Sequence, residues 1–291
     1  MEKRAYYHLF SDGFRADFLF EDKSAFISGM NIIAFTFLRC DVMIYAFCLM
    51  DNHVHFILYG TLDECKRFQR RLAHQYSLWY FNRYGIKSPY PFEFEIKIID
   101  DEKYLLTSIA YVLRNGIAAG FCFCVDDYLW SSNGLYFRDP NQMTIMTSTW
   151  RRISDLSTSE RRHMLRTRVE LPPDWLISPN GFIWPGNYVD YKAVEAIYRS
   201  PKSFAYFMGQ RKEDEINEKL GIIDSVFLPD VDLREKAVMS SLRLFRVTDL
   251  RELDVKSRIL LAKELHKEYR CSYKQIARIV HLNSIYLKEL V

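Results

Sequence analysis

Two β-rich apolar runs, Val42 to Met50 and His53 to Tyr59, stand on either side of the pair Asp51-Asn52. Runs of that composition around a two-residue polar break close as an antiparallel hairpin, and this hairpin constrains everything placed around it. Its second arm carries His53-Val54-His55. Side chains alternate along a strand, so both imidazoles share one face, while Val54, Phe56 and Leu58 point the other way into a core. Two steps of strand rise separate the histidines by roughly 7 Å at the backbone, close enough for their rings to converge on one cation. An isolated His-x-His is more often a pair of surface or satisfied core side chains, so the motif needs a partner before it carries chemistry.

That partner is a helix. Glu102 to about Ala119 has helical spacing and is followed by Gly120, and within it Tyr111 and Asn115 lie four residues apart. The spacing sets a phenol and an amide on the same helix face, one turn apart. The amide oxygen completes a site with His53 and His55, and the phenol reaches a phosphate bound there. Taken singly, a helical Tyr is usually core and a late-helix Asn is usually a cap. Tyr104, seven residues earlier on roughly the same side, is the alternative nucleophile; the Asn four residues beyond Tyr111 favours Tyr111.

The remaining elements follow from pattern. Tyr6 to Phe10 reads as a strand before a Ser11-Asp12-Gly13 turn, Phe26 to Arg39 as a helix, Leu62 to Tyr84 as a second helix, and Phe92 to Ile99 as a further strand. The order β-α-β-β-α-β-α predicts an α+β fold, an antiparallel sheet with helices packed on it. From about Arg138 the pattern is broken by Pro172-Pro173, Pro179-Asn180-Gly181 and Pro185-Gly186, and from Val238 it becomes helical and basic. The expected organisation is a catalytic domain over 1–137, a connector with short helices over 138–237 and a helical domain over 238–291. A chain of 291 residues is long enough for such a division.

Composition narrows the setting. Forty basic residues face 37 acidic ones, so any nucleic-acid partner must be met by local charge rather than by a polycation. Six cysteines without a CxxC pair fit a reducing cytoplasm, and neither a signal-peptide core nor a membrane-spanning run is evident. Local charge is found at Lys66, Arg67, Arg70 and Arg71, followed by Tyr76, Trp79, Tyr80 and Phe81, a combination suited to phosphates and unpaired bases. Arg114 is a further candidate phosphate contact.

These residues together resemble the REP-associated tyrosine transposases, within the HUH single-strand nuclease superfamily. The resemblance spans roughly residues 6 to 137: Tyr7-His8 and Gly13, Ala46-Phe47-Cys48-Leu49-Met50, Met-x-Asn-His-Val-His, Tyr80 to Gly85, the Tyr-x-x-x-Asn helix ending Ala118-Ala119-Gly120, and Trp130-Ser131-Ser132. It departs where the family often has Asn-Pro and this chain has Asn115-Gly116; Gly is expected to break the helix there. A family segment containing Arg before the last strand is matched only loosely by Ser88 to Phe94. The resemblance implies a ferredoxin-like HUH nuclease fold, cleavage and rejoining of single-stranded DNA near hairpin or palindromic repeats, and a covalent 5′-phosphotyrosine on Tyr111 with a free 3′-OH. It also implies a monomer or a homodimer that exchanges the tyrosine helix, with Gly116 or Gly120 as hinge.

Two imidazoles and one amide leave positions open for water and phosphate, which suits Mg²⁺ or Mn²⁺. A structural zinc site recruiting Cys48 is the rival, and a DNA-binding regulator without catalysis on the same fold is another. Near the C-terminus, Ile259 to Tyr269, Tyr273 to Val280 and Ser284 to Leu290 read as helices of a helix-turn-helix. Asn283, Ser284, Tyr286 and Lys288 are its candidate DNA contacts, and His281 stands where the turn favours Gly.

Overall fold

The computed structural model describes residues 3–11, 19–51, 53–85, 87, 94–118, 121–122, 127–210, 216, 228–269, 271, 273–282 and 287. Four strands, β1 (Ala5–Ser11), β2 (Met43–Leu49), β3 (Val54–Gly60) and β4 (Phe94–Ile99), form one sheet in the order β2-β3-β1-β4, with every neighbouring pair antiparallel. The chain is therefore α+β, as the element order predicts.

Helices α1 (Lys23–Phe37) and α2 (Leu62–Tyr84) cover one face of the sheet. Each start is set locally. The Asp22 carboxylate accepts from the Ala25 amide at 2.8 Å, and Thr61 and Glu64 form a reciprocal cap at α2. Gly85, with φ 73°, ends α2 in the left-handed region that disfavours other residues. Val54, Phe56 and Leu58 of β3 point into this layer among Phe68, Leu72 and Tyr76 of α2.

The opposite face receives α3 (Glu102–Ala118), whose first turn is capped by Asp101 accepting from the Tyr104 amide at 2.7 Å. Ile57 of β3 and Ala46 and Cys48 of β2 pack here with Ile109, Val112 and Leu113. The register of β2 slips between Ile44 and Ala46, so Tyr45 is an extra residue. That bulge lets Ile44 and Ala46 face opposite layers although they are two apart. Gly116 does not break α3, contrary to expectation. Its missing Cβ makes room for the Tyr128 ring, whose Cγ would lie 2.6 Å from a Cβ built there, and the Phe121 amide donates to the Gly116 carbonyl at 2.9 Å.

The middle of the chain forms α4 (Pro140–Thr147), β5 (Arg151–Arg152), α5 (Thr158–Leu165), β6 (Leu176–Ile177), α6 (Tyr191–Tyr198) and α7 (Pro201–Gly209). Expected only as a connector, it is built into the core: Ile153, Trp175, Ile183 and Tyr188 join the α1/α2 layer, and Val194 and Tyr198 join the α3 layer. The Ile183 amide donates to buried Asn31 at 2.8 Å. Backbone of β2 is capped along its outer edge by Trp130, Ser132 and Asp190, which removes an exposed strand edge. The last described helices, α8 (Asp230–Phe245), α9 (Val255–Tyr269) and α10 (Tyr273–Val280), gather around a separate cluster that includes Leu261, Leu265, Ile276, Ala277 and Val280. His281 after α10 has φ 56°, a left-handed position that histidine tolerates better than most side chains. Among the described residues no helix is long and apolar enough to cross a membrane.

Candidate active site

The hairpin delivers His53 and His55 as alternation requires. Leu19 and Phe20 amides donate to the Asp51 carbonyl at 2.6 and 2.9 Å, anchoring the turn, and the Met50 amide donates to the His53 carbonyl at 2.8 Å. The two imidazole centroids lie 4.9 Å apart with planes near perpendicular, so the rings converge from their backbone spacing. In register, Phe10 and Cys48 flank His55 on either side.

Helix α3 brings the other two candidates onto this face. The Tyr111 ring lies 5.4 Å from the His55 ring, edge-on, and half-buried. Asn115 donates through Nδ2 to the Tyr111 carbonyl at 2.9 Å, one turn back, which orients its amide toward His53, with which it shares a side-chain hydrogen bond. Residues far apart in sequence are thus assembled into one cluster by a single helix-on-sheet contact.

Electrostatics follow from enclosure. His53 and His55 are only 7% and 3% exposed. Burial, then the nearby Arg278 guanidinium, pulls the His53 pKa down to about 3, against the opposing Asn115 hydrogen bond. Burial, then His53, His8 and Arg278, also holds His55 well below the usual histidine range. Both rings are therefore neutral at neutral pH, which is the metal-ligating form of imidazole. Among the described residues no group of three or more His, Cys, Asp and Glu side chains is placed to hold a metal ion. The converging donors are two neutral imidazoles and one amide, a set that fits a cation completing its shell with phosphate and water. Cys48 is fully buried with Sγ 3.5 Å from the Met50 sulfur, and burial raises its thiol pKa far above the ordinary value, so it sits as a small core residue.

The candidate DNA contacts are not gathered in one place. Lys66, Arg67, Arg70 and Arg71 are exposed, but α2 lies on the sheet face opposite the histidines, and Arg67 pairs with Asp41 at 3.7 Å. Tyr76 is buried, Trp79 and Tyr80 are half-buried, and Phe81 is exposed. Arg114 donates to the Gln210 carbonyl at the end of α7. Asn283, Ser284, Tyr286 and Lys288 lie outside the described residues, as do Gly120 and the Ser88 to Pro91 stretch.

Two residues near the site, His8 and Arg278, were given no role on sequence grounds, although Tyr7-His8 belongs to the resemblance. His8 on β1 is fully buried, with Nε2 3.1 Å from His55 Nδ1. Its signal was alternation with Phe10, but the register that brings it beside His55 is a tertiary fact. Arg278 comes from α10, where it pairs with Asp230 at the start of α8. No local pattern in the C-terminal segment predicts its approach to His53.

No protein-family model matches the chain, and no curated protein matches it. Among solved structures, that of the REP-associated tyrosine transposase bound to a REP hairpin matches over 45% of this chain and 77% of its own, at 18% identity and a TM-score of 0.35. A TM-score of 0.35 is too low to place the chain in that family.

Proposed function

We propose that this chain is a metal-dependent endonuclease and strand-transferase acting on single-stranded DNA, with Tyr111 as nucleophile. The observation that carries the reading is the meeting of Tyr111 and Asn115 on α3 with His55 on β3 and His53 immediately before that strand. The sheet order β4-β1-β3-β2 with all pairs antiparallel supports a ferredoxin-like, HUH-type reading of the fold.

A phenol with an ordinary pKa of about 10 is a weak nucleophile at neutral pH, so the electrophile must be prepared. Mg²⁺ or Mn²⁺ held by His53, His55 and Asn115 would supply the Lewis acidity that draws charge from the phosphate oxygens. Tyr111 forms the new bond from its phenolic oxygen to phosphorus as the P–O3′ bond breaks. The phenol gives up its proton and the 3′ oxygen gains one, leaving a 5′-phosphotyrosine and a free 3′-OH. Attack by a 3′-OH reverses these bond changes and rejoins strands without ATP. Burial against the sheet keeps the imidazoles neutral, Asn115 orients His53, and the apolar layer of Ile57, Ile109 and Val112 excludes water beside them.

The substrate class, hairpin or palindromic single strands, rests on the sequence resemblance. A path from the arginines of α2 to Tyr111 must pass around an edge of the sheet, since they occupy opposite layers. A second reading, a DNA-binding regulator without catalysis, is favoured by the near-complete burial of His53 and His55 and by Arg278 beside them.

The deciding experiment incubates the full chain with labelled single-stranded hairpin DNA from its gene's flanks and Mg²⁺ or Mn²⁺, then runs a denaturing gel. A covalent protein–DNA band is expected, lost with EDTA and in Tyr111→Phe but kept in Tyr104→Phe. Binding without a covalent band, unchanged by Tyr111→Phe, selects the regulator.

A further inference from the structure

His8 has no part in the reaction described above, yet it is fully enclosed beside the site. It is 0% exposed, on the strand beside β3, and its Nε2 lies 3.1 Å from His55 Nδ1. The His8 ring lies 5.2 Å from that of His55 and 5.9 Å from that of Tyr111. Its other nitrogen, Nδ1, is buried with no hydrogen-bond partner among the described residues.

Two neutral imidazoles facing each other nitrogen to nitrogen share a single proton. If it sits on His8 Nε2, His55 accepts at Nδ1 and, being neutral, carries its own proton on Nε2. No lone pair then remains on His55 for a ligand. If it sits on His55 Nδ1, His8 accepts at Nε2 and carries its proton on Nδ1, and the His55 Nε2 lone pair is free. The two arrangements hold the same number of protons: in passing from the first to the second, His55 loses one from Nε2 and His8 gains one at Nδ1, while one moves across the shared hydrogen bond. Both leave His8 Nδ1 without a partner among the described residues, so the hydrogen bond at Nε2 is the polar contact through which His8 acts on the site.

We infer that His8 is a positioning residue that accepts the Nδ1–H of His55 and holds that ring in the tautomer whose Nε2 is free to ligate. The role rests on the nuclease reading, but the tautomer it fixes is a property of the resting protein. Partners of this kind, hydrogen-bonded to the far nitrogen of a ligating histidine, change metal affinity or activity by about 10–100-fold when removed. Gln at position 8 can offer its side-chain oxygen where Nε2 stands, whereas Leu cannot accept at all.

The test is long-range ¹H–¹⁵N correlation of histidine-labelled, metal-free full-length protein, with Mn²⁺ binding measured separately by calorimetry. His55 is expected as the Nδ1–H tautomer in wild type and in His8→Gln. In His8→Leu it is expected to shift toward Nε2–H, with Mn²⁺ affinity falling about 10–100-fold and recovering in His8→Gln. A wild-type His55 protonated on Nε2, or a tautomer unchanged by His8→Leu, overturns the inference. If His8→Leu fails to fold, the wild-type and His8→Gln spectra decide alone. The expected tautomers together with no Mn²⁺ binding and no covalent DNA band would sink the nuclease reading and leave the pairing standing.

Discussion

Gly116→Ala sets two known effects against each other at a position one residue from Asn115. In a helix interior, replacing Gly by Ala removes backbone freedom from the unfolded chain and favours folding by about 0.8–1 kcal/mol. Here the new methyl would lie 2.6 Å from Tyr128 Cγ and 2.9 Å from its Cδ1, distances that require the ring or the helix to move. Tyr128 is poorly placed to yield: its hydroxyl donates to the Leu49 carbonyl at 2.6 Å, its ring stacks on Phe121 at 5.9 Å, and it is buried. Overpacking of this kind costs about 1–3 kcal/mol, so the net expectation is a loss of roughly 0–2 kcal/mol. Urea unfolding followed by circular dichroism measures it. The decisive comparison repeats the substitution in a Tyr128→Ala background, where the clash is gone and the same change should stabilise by about 0.8–1 kcal/mol. Stabilisation in the wild-type background, or no reversal of sign between backgrounds, refutes the close-packing argument. Because α3 carries Tyr111 and Asn115, a shift of about 1 Å at its last turns is expected to lower DNA cleavage by about 100-fold, well beyond the stability loss.

Three other outcomes are expected. Arg278→Met leaves the Asp230 carboxylate, whose side chain is 13% exposed, without its cation; Gln275 still donates to it at 2.9 Å, so the loss should be near the low end of about 1–3 kcal/mol, read as an earlier unfolding midpoint of the C-terminal helices. Asn31→Ala removes the buried acceptor of the Ile183 amide and should cost about 1–3 kcal/mol; a loss confined to the 138–189 stretch in hydrogen exchange would show that this stretch is not part of the common core. Glu160, held down to about 2 by the Ser157 backbone amide, then the Ser157 hydroxyl and Arg151, has a folded pKa below its ordinary value of 4.5. Its contribution to the α5 cap is therefore present above about pH 4.5 and lost as pH falls through about 2; an NMR titration midpoint above 4 would rule this out.

The hairpin around Asp51 and the facing of His53 and His55 were readable because alternation is a short-range property of a strand and needs no partner. The same holds for Tyr111 and Asn115, whose four-residue spacing alone sets them on one side of α3. Helix limits at Leu62 and Tyr84 could be read for the same reason, since Thr61, Glu64 and Gly85 act on backbone within a few residues. Expectations failed or fell short where a distant neighbour decides. Gly116 continues its helix because the Tyr128 ring fills the space a Cβ would take.

Sequence periodicity thus settled which side chains share a face and what order of strands and helices to expect, because those depend on bond geometry repeated every two or 3.6 residues. Which faces meet was left to packing. The register of β1 on β3 puts His8 against His55, the docking of α10 brings Arg278 toward both site histidines, and the layering of the sheet sets the arginines of α2 behind the site rather than beside it. Such contacts depend on burying apolar surface from segments tens to hundreds of residues apart, and no local pattern encodes that choice.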